Sequence, residues 1–170
     1  KKKVAEMLAN HAVQPIRQRE IVELGGLKLL LPLTKSEDSE VQRLAAHALA
    51  NISVDATNQI LLAENGGIEM LVSLLESGKG TCIIIYWRAY SLYLKHTHTH
   101  TGTLVKKQSA KALANISVNV DNKVRVTKLG GLAALLRSLD VKNDAVRTEV
   151  VAALANLAVN DDNESLIGSG

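Results

Sequence analysis

The feature of this sequence that most constrains its fold is a short motif that recurs at a regular interval along the chain. Ala-Leu-Ala-Asn occurs at residues 48–51, 112–115 and 153–156, and the shorter Leu-Ala-Asn stands at residues 8–10. The sequence numbers of their asparagines therefore differ by 41, 64 and 41 in turn. Gly-Gly pairs that begin at residues 25, 66 and 130 repeat the first two of these intervals. Because two different markers share one spacing, the chain consists of repeated units, one of which carries 23 extra residues.

Each unit is predicted to contain three helices. In the first complete unit, an amphipathic helix over residues 17–24 is ended by Gly25, where a left-handed backbone would favour glycine. The next glycine, Gly26, would allow the second helix, over residues 27–34, to pack closely. The third helix is predicted over residues 39–54, after a polar turn, because its apolar residues recur at steps of three and four.

The composition indicates what kind of core these helices can form. Hydrophobic residues make up 46% of the 170-residue chain, but aromatic residues only 2%, and phenylalanine is absent. Leucine, isoleucine, valine and alanine must therefore form the core, which favours closely packed helices. One unit alone cannot bury its apolar side, whereas stacked units bury each other's. We therefore predict an all-α solenoid, a right-handed superhelix with a concave face.

The unit resembles the armadillo repeat, which has about 40 residues, three helices, a Gly-Gly hinge and an Ala-Leu-x-Asn segment in its third helix. The resemblance covers residues 1–78 and 104–170. The segments Ile21-Val22-Glu23-Leu24-Gly25-Gly26 and Leu157-Ala158-Val159-Asn160 are also similar to vacuolar armadillo scaffolds and to the armadillo tails of plant kinesins. The resemblance implies an armadillo-type solenoid that acts as a protein-binding scaffold.

In this interpretation the whole chain is one armadillo repeat domain. Residues 1–13 are the end of one repeat, residues 17–54, 58–118 and 122–159 are complete repeats, and residues 163–170 begin another. Solenoids need polar capping repeats for solubility, and neither end of this sequence has the pattern of one. The first residue is Lys1 rather than methionine. We therefore expect the natural protein to be longer.

The extra residues form an insertion over residues 79–103, which is predicted to lie in the turn between a second and a third helix. It contains every aromatic residue of the chain, its only cysteine, Cys82, and three alternating histidines, His96, His98 and His100. In an extended strand these histidines would share one face, which makes them weak candidates for a metal site. Alternatively, the tyrosines and the tryptophan anchor a partner, as aromatic residues do at interfaces.

A third interpretation, which we favour, is that the insertion is not a genuine element of the protein. A CA dinucleotide tract encodes alternating histidine and threonine, and the extra segment corresponds to a whole number of codons, which preserves the reading frame. A retained intron or a gene-model error would explain both observations. Sequencing of transcripts across residues 78–104 distinguishes these origins from an element that is always present.

The armadillo resemblance also implies that an extended peptide binds in a concave groove lined by the third helices. The repeat asparagines would then form a ladder whose side-chain amides, as donors and acceptors, pair with the peptide backbone: Asn10, Asn51, Asn115 and Asn156. Alternatively, these asparagines cap or bridge neighbouring helices. The sequence leaves both interpretations open.

Basic residues accompany the central part of this ladder. His47 and Lys111 stand one turn before their asparagine, and Arg43 and Lys107 stand two turns before it. A basic groove favours an acidic or phosphorylated protein segment, because such a partner forms charge-assisted hydrogen bonds. Importin-α-type repeats carry tryptophan one turn before the asparagine, and its absence here argues against binding of nuclear localisation signals.

Other classes of function have less support in the sequence. The net charge is only +3 and no aromatic residue lies outside the insertion, so binding of nucleic acid is not favoured. No glycine-rich phosphate loop and no His-Glu-x-x-His motif is present, so we predict neither catalysis nor a cofactor. The main alternative to a binding scaffold is an architectural spacer within a larger protein.

The sequence also bears on the cellular compartment. A single cysteine favours a reducing compartment, and no apolar segment of a signal peptide follows the first three lysines. No apolar run reaches the ~20 residues that span a bilayer, so we expect no direct membrane insertion. We expect a cytoplasmic protein; a nuclear or membrane-peripheral location would depend on parts outside these residues, and the oligomeric state stays open.

Overall fold

The computed structural model of the protein describes the backbone of residues 1–77 and 91–159 and the side chains of residues 1–76 and 102–159. Within these ranges the regular structure consists of helices, and strands are absent. The chain begins with a third helix, α1 (Lys2–His11). Three groups of first, second and third helices follow: α2 (Pro15–Glu23), α3 (Gly26–Leu33), α4 (Ser39–Ile52); α5 (Ala56–Glu64), α6 (Gly67–Ser77), α7 (Ser91–Ile116); α8 (Val120–Lys128), α9 (Gly131–Ser138), α10 (Asp144–Ala158).

The third helices form one continuous layer. Helices α1, α4, α7 and α10 pack side by side in chain order, and each of the second helices α3, α6 and α9 packs against the third helix of its own repeat. A continuous apolar core runs from Ala5 in α1 to Leu157 in α10 and crosses every joint between repeats. Fully buried alanines such as Ala45 and Ala48 let the third helices approach closely. The predicted all-α solenoid is therefore confirmed.

The Gly-Gly pairs have the two roles that the sequence indicated. The first glycine of each pair has a φ angle of +80°, in the left-handed region, and ends the first helix: Gly25, Gly66 and Gly130. The second glycine is needed for space, because a Cβ atom on Gly26 would lie 2.5 Å from the carbonyl oxygen of Ile21. Each pair thus redirects the chain between two helices that cross closely.

The polar turn before the third helix supplies the N-cap of that helix. The side chain of Asp38 caps α4 by accepting hydrogen bonds from the backbone N–H groups of Glu40 and Val41, at 2.9 and 3.4 Å. The helix ends at Ile52, slightly earlier than predicted. Helix α2 begins at Pro15, also slightly earlier than predicted, because proline is well suited to a first helical turn.

The prediction that the insertion lies wholly in a turn is wrong for its last part. Helix α7 begins at Ser91, so residues 91–103 continue the third helix in the N-terminal direction. Lengthening an existing helix requires no new nucleation, which makes this conformation easier to form than an isolated one. Residues 78–90, which include Cys82 and most of the aromatic residues, lie outside the described part, as do residues 160–170.

The helical backbone changes the geometry that the metal-site hypothesis assumed, and the hypothesis itself stays untested. Alternate residues share a face in a strand, but successive residues of an α-helix are rotated by about 100°. Positions 96 and 100 therefore fall on one face of α7 and position 98 on the opposite face, so the three histidines do not share one. The side chains of these histidines are outside the described residues. In residues 1–76 and 102–159, no group of three potential metal-ligating side chains is found. No helix of the described chain is long and apolar enough to cross a membrane.

Candidate functional site

The layer of third helices places the repeat asparagines at equivalent positions along one surface. Asn10 lies in α1 and is exposed, whereas the other three are partly buried: Asn51 in α4, Asn115 in α7 and Asn156 in α10. The difference at Asn10 arises because α1 has no preceding third helix to pack against within the described chain. The sequence therefore predicted the positions of the ladder residues but not their unequal environments.

Two of the ladder side chains connect neighbouring repeats. The Nδ2 atom of Asn115 donates hydrogen bonds to the carbonyl oxygen of Ala50, at 3.2 Å, and to the hydroxyl of Ser53, at 3.1 Å. One repeat further on, the Nδ2 atom of Asn156 donates to the carbonyl oxygen of Ala114, at 2.8 Å. The bridging interpretation of these asparagines is thus correct for the donor half of the amide.

These bonds have a clear physical cause. The last carbonyl groups of a helix have no partner within the helix, and Ala50 and Ala114 lie in the last turns of α4 and α7. The asparagine of the next repeat supplies a donor to each, and the hydroxyl of Ser53 also donates to Ala50, at 2.9 Å. The side-chain oxygens of Asn115 and Asn156 accept no hydrogen bond within the described chain, and remain as acceptors. The amide therefore joins two repeats with one end and leaves the other end unused.

Asn51 departs from this pattern. Its Nδ2 atom is buried and has no hydrogen-bond partner among the described residues. The equivalent acceptor would be the carbonyl oxygen of Ala9 in α1, by comparison with Ala50 and Ala114. The joint between α1 and α4 therefore lacks the hydrogen bond that the next two joints have.

Further amides cap the third helices from the following first helix, and the sequence analysis missed their role. Gln18 donates to the carbonyl oxygen of Ala12 at 3.0 Å, and Gln59 donates to that of Ser53 at 3.1 Å. Asn58 donates to the carbonyl oxygen of Ile52 at 3.3 Å. The available signal was the spacing of the two glutamines, which equals the interval of the repeat.

The basic residues beside the ladder differ in whether an acidic side chain neutralises their charge. Arg43 forms a two-bond ion pair with Glu40, with both N–O distances at 2.7 Å. This hydrogen bond from Arg43 lowers the pKa of Glu40, and the charge of Lys2 on α1 lowers it further. In contrast, Lys107 and Lys111 have no acidic partner in the described part of the chain. The two lysines are thus the more available cations.

His47 shows that residues from two repeats come together in this site. Partial burial lowers the pKa of His47, and the positive charges of Arg43 and Lys111 lower it further. Lys111 belongs to α7, whereas Arg43 and His47 belong to α4. The predicted basic group is therefore assembled across a joint between repeats, with a histidine that favours its neutral form.

The hydrogen bonds from Asn115 to the preceding repeat should contribute to the free energy of unfolding. We expect Asn115→Ala to lower the free energy of unfolding by about 1–2 kcal/mol, because two hydrogen bonds are lost, each contributing about 1 kcal/mol. Asn10→Ala is the matched control, and we expect less than about 0.5 kcal/mol for this exposed position. Urea denaturation measures both. Equal, small effects would show that the bridge from Asn115 does not hold the repeats together.

Comparisons with known proteins agree with this architecture. The model of the armadillo/beta-catenin-like repeat matches residues 17–54 and 119–159. No curated protein sequence matches the chain.

Several solved structures are similar over nearly the whole chain. An engineered protein is 33% identical with a TM-score of 0.76, over 95% of this chain and 57% of its own. A computationally designed armadillo repeat protein for modular peptide recognition is 26% identical, with a TM-score of 0.77, over 98% of this chain and 62% of its own. A designed armadillo repeat protein in complex with the peptide (KR)4 is 25% identical, with the same TM-score and coverage. The chain thus spans less than two thirds of the length of these structures.

Proposed function

We propose that this chain, whose residues 17–54 and 119–159 match the armadillo repeat, is a protein-binding scaffold that holds an extended peptide segment along its third helices. The observation that carries the proposal is the row of ladder asparagines on one continuous layer, with unused acceptor oxygens at Asn115 and Asn156. An extended peptide exposes a row of backbone N–H groups that need such acceptors.

The bridging bonds define how the ladder would act on a peptide. The Nδ2 atom of Asn115 is directed to two acceptors of the preceding repeat, so its oxygen alone is available to a guest. The guest N–H groups would therefore be bound by asparagine oxygens. The guest carbonyl groups would have to bind other donors, such as the ammonium groups of Lys107 and Lys111 or water.

The charge of the site supports an acidic or phosphorylated guest. Lys107 and Lys111 lack acidic partners within the described residues, and Arg43 stands beside them. A carboxylate or phosphate gains charge-assisted hydrogen bonds from such groups. The designed protein described above was solved with a basic peptide, and we propose the opposite preference for this chain.

Titration of labelled octapeptides by fluorescence anisotropy tests this function. We expect a peptide of alternating aspartate and serine to bind at least about tenfold more tightly than (KR)4, since like charges at a site disfavour binding. A peptide of alternating glycine and serine is the neutral control. Tighter binding of (KR)4, or no binding of any peptide, would contradict the proposal.

A further inference from the structure

A row of exposed valines runs parallel to the asparagine ladder. One valine occurs in each repeat, immediately before the N-cap of the next first helix where the structure describes that cap, and the valines recur at the same intervals as the asparagines. Their exposed fractions are 60%, 58%, 61% and 78%: Val13, Val54, Val118 and Val159. We call these four residues the valine row.

The valine row lies directly beside the ladder. Each valine stands three places after its asparagine, and the backbone N–H of Val54 donates to the carbonyl oxygen of Asn51, at 3.3 Å. The same bond joins Val118 to Asn115, at 3.1 Å. The residue between helix and valine keeps a right-handed helical backbone at Ala12 and Ser53, and Val159 follows α10 directly. Each valine therefore sits one turn beyond its asparagine.

The basic residues lie on the opposite side of the ladder. His47 and Lys111 stand one turn before Asn51 and Asn115, whereas Val54 follows the first of these asparagines by one turn. Residues three or four apart are neighbours on a helix surface. The ladder is thus flanked by cationic side chains on one side and by an apolar row on the other.

An extended peptide that crosses the third helices along the ladder has two sets of side chains, which match the two flanks of the ladder. Its side chains alternate between two directions, and it advances ~3.3 Å per residue. Packed helices are ~8–10 Å apart, so each repeat meets two or three residues of the guest. One set of alternating side chains would point toward the basic residues, and the other toward the valine row.

We propose that the guest of this scaffold is a peptide in which acidic and apolar residues alternate. Its carboxylates contact Lys107 and Lys111, and its apolar side chains cover the valine row. The proposal rests on the function proposed above and specifies the ligand. A single exposed valine needs no explanation, but an exposed valine recurs at the same turn of all four repeats, in a place where polar turn residues are usual.

The test compares two octapeptide probes on the 170-residue chain, one of alternating aspartate and leucine and one of alternating aspartate and serine. We expect the leucine peptide to bind at least about tenfold more tightly, because leucine side chains are removed from water against the valines. The double variant Val54→Thr/Val118→Thr has the same side-chain shape with less apolar surface. We expect it to reduce the preference for the leucine peptide to less than about threefold, with unchanged affinity for the serine peptide.

The control is Ile60→Thr, an exposed aliphatic residue on the first helix α5, and we expect it to retain the full preference. Equal affinities of the two peptides for the unaltered chain would overturn the valine-row proposal and leave the acidic-peptide function standing. A leucine preference that survives the valine substitutions would also overturn it. Absence of binding of both peptides would overturn the two proposals together.

Discussion

Gly67→Ala is expected to lower the free energy of unfolding by about 2–3 kcal/mol, because forced overpacking in a tight contact costs about this much. A Cβ atom at this position would lie 2.7 Å from the carbonyl oxygen of Leu62 and 3.1 Å from its Cδ2 atom. The oxygen belongs to the backbone of α5, so no side-chain rotation can relieve the contact. The hinge between α5 and α6 must therefore open, which disturbs the core of the central repeat.

The adjacent glycine provides a matched control for this prediction. Gly66 has a φ angle of +80°, but the nearest atom to a Cβ there is Oε2 of Glu69, at 3.8 Å. Asparagine tolerates the left-handed backbone better than other residues with a Cβ, so we expect Gly66→Asn to cost less than about 1 kcal/mol. Urea denaturation followed by far-ultraviolet circular dichroism measures both variants. A cost of Gly67→Ala no larger than that of Gly66→Asn would refute the close-contact explanation.

The fold could be predicted from the sequence because its determinants are local and repeated. The left-handed turn at Gly25 depends on a few neighbouring residues and is found as predicted. The cap at Asp38 is equally local, because it lies in the polar turn from which the start of the third helix was predicted. The stacking of third helices followed from the apolar stripe, which has no other surface to pack against. The insertion contains no such local motif. The prediction of a turn did not consider that α7 could extend toward the N-terminus as far as Ser91.

The site could be predicted only in part, because its hydrogen bonds join distant parts of the chain. Asn115 donates to Ala50 in the preceding repeat, and no feature near Asn115 in the sequence reveals whether its amide faces a neighbour or a guest. The ion pair of Arg43 with Glu40 could have been predicted from the sequence, since residues three apart on a helix are neighbours, but it was overlooked. The predicted basic character of the site therefore depends more on Lys107 and Lys111 than on Arg43.

The bridging role of the asparagines also determines how binding should be tested. Substitution of Asn115 or Asn156 by alanine removes a hydrogen bond between repeats together with a candidate peptide contact. A loss of binding would then have two explanations. The lysines avoid this ambiguity, because Lys107 and Lys111 take part in no ion pair within the described chain.

Lys107→Glu/Lys111→Glu is expected to weaken binding of the aspartate-serine octapeptide by about 30-fold. Each substitution replaces an attraction by a repulsion, and at a partly exposed site each reversal contributes roughly 1 kcal/mol. His47, with its lowered pKa, favours its neutral form, and Arg43 stays bound to Glu40, so neither replaces the lost charge. Because salt screens attraction and repulsion alike, we expect added salt to weaken binding to the unaltered chain but not to the variant.

The control variant is Lys28→Glu/Lys35→Glu, which makes the same change of net charge at two exposed positions in and after α3. We expect it to weaken binding by less than about threefold, because exposed charges more than ~10 Å apart are largely screened at moderate salt. Urea denaturation should give both variants a stability within about 0.5 kcal/mol of the unaltered chain. If the two variants weaken binding equally, the peptide responds to overall charge and the groove is not its site. If Lys107→Glu/Lys111→Glu leaves the affinity unchanged, the acidic guest binds elsewhere on the solenoid.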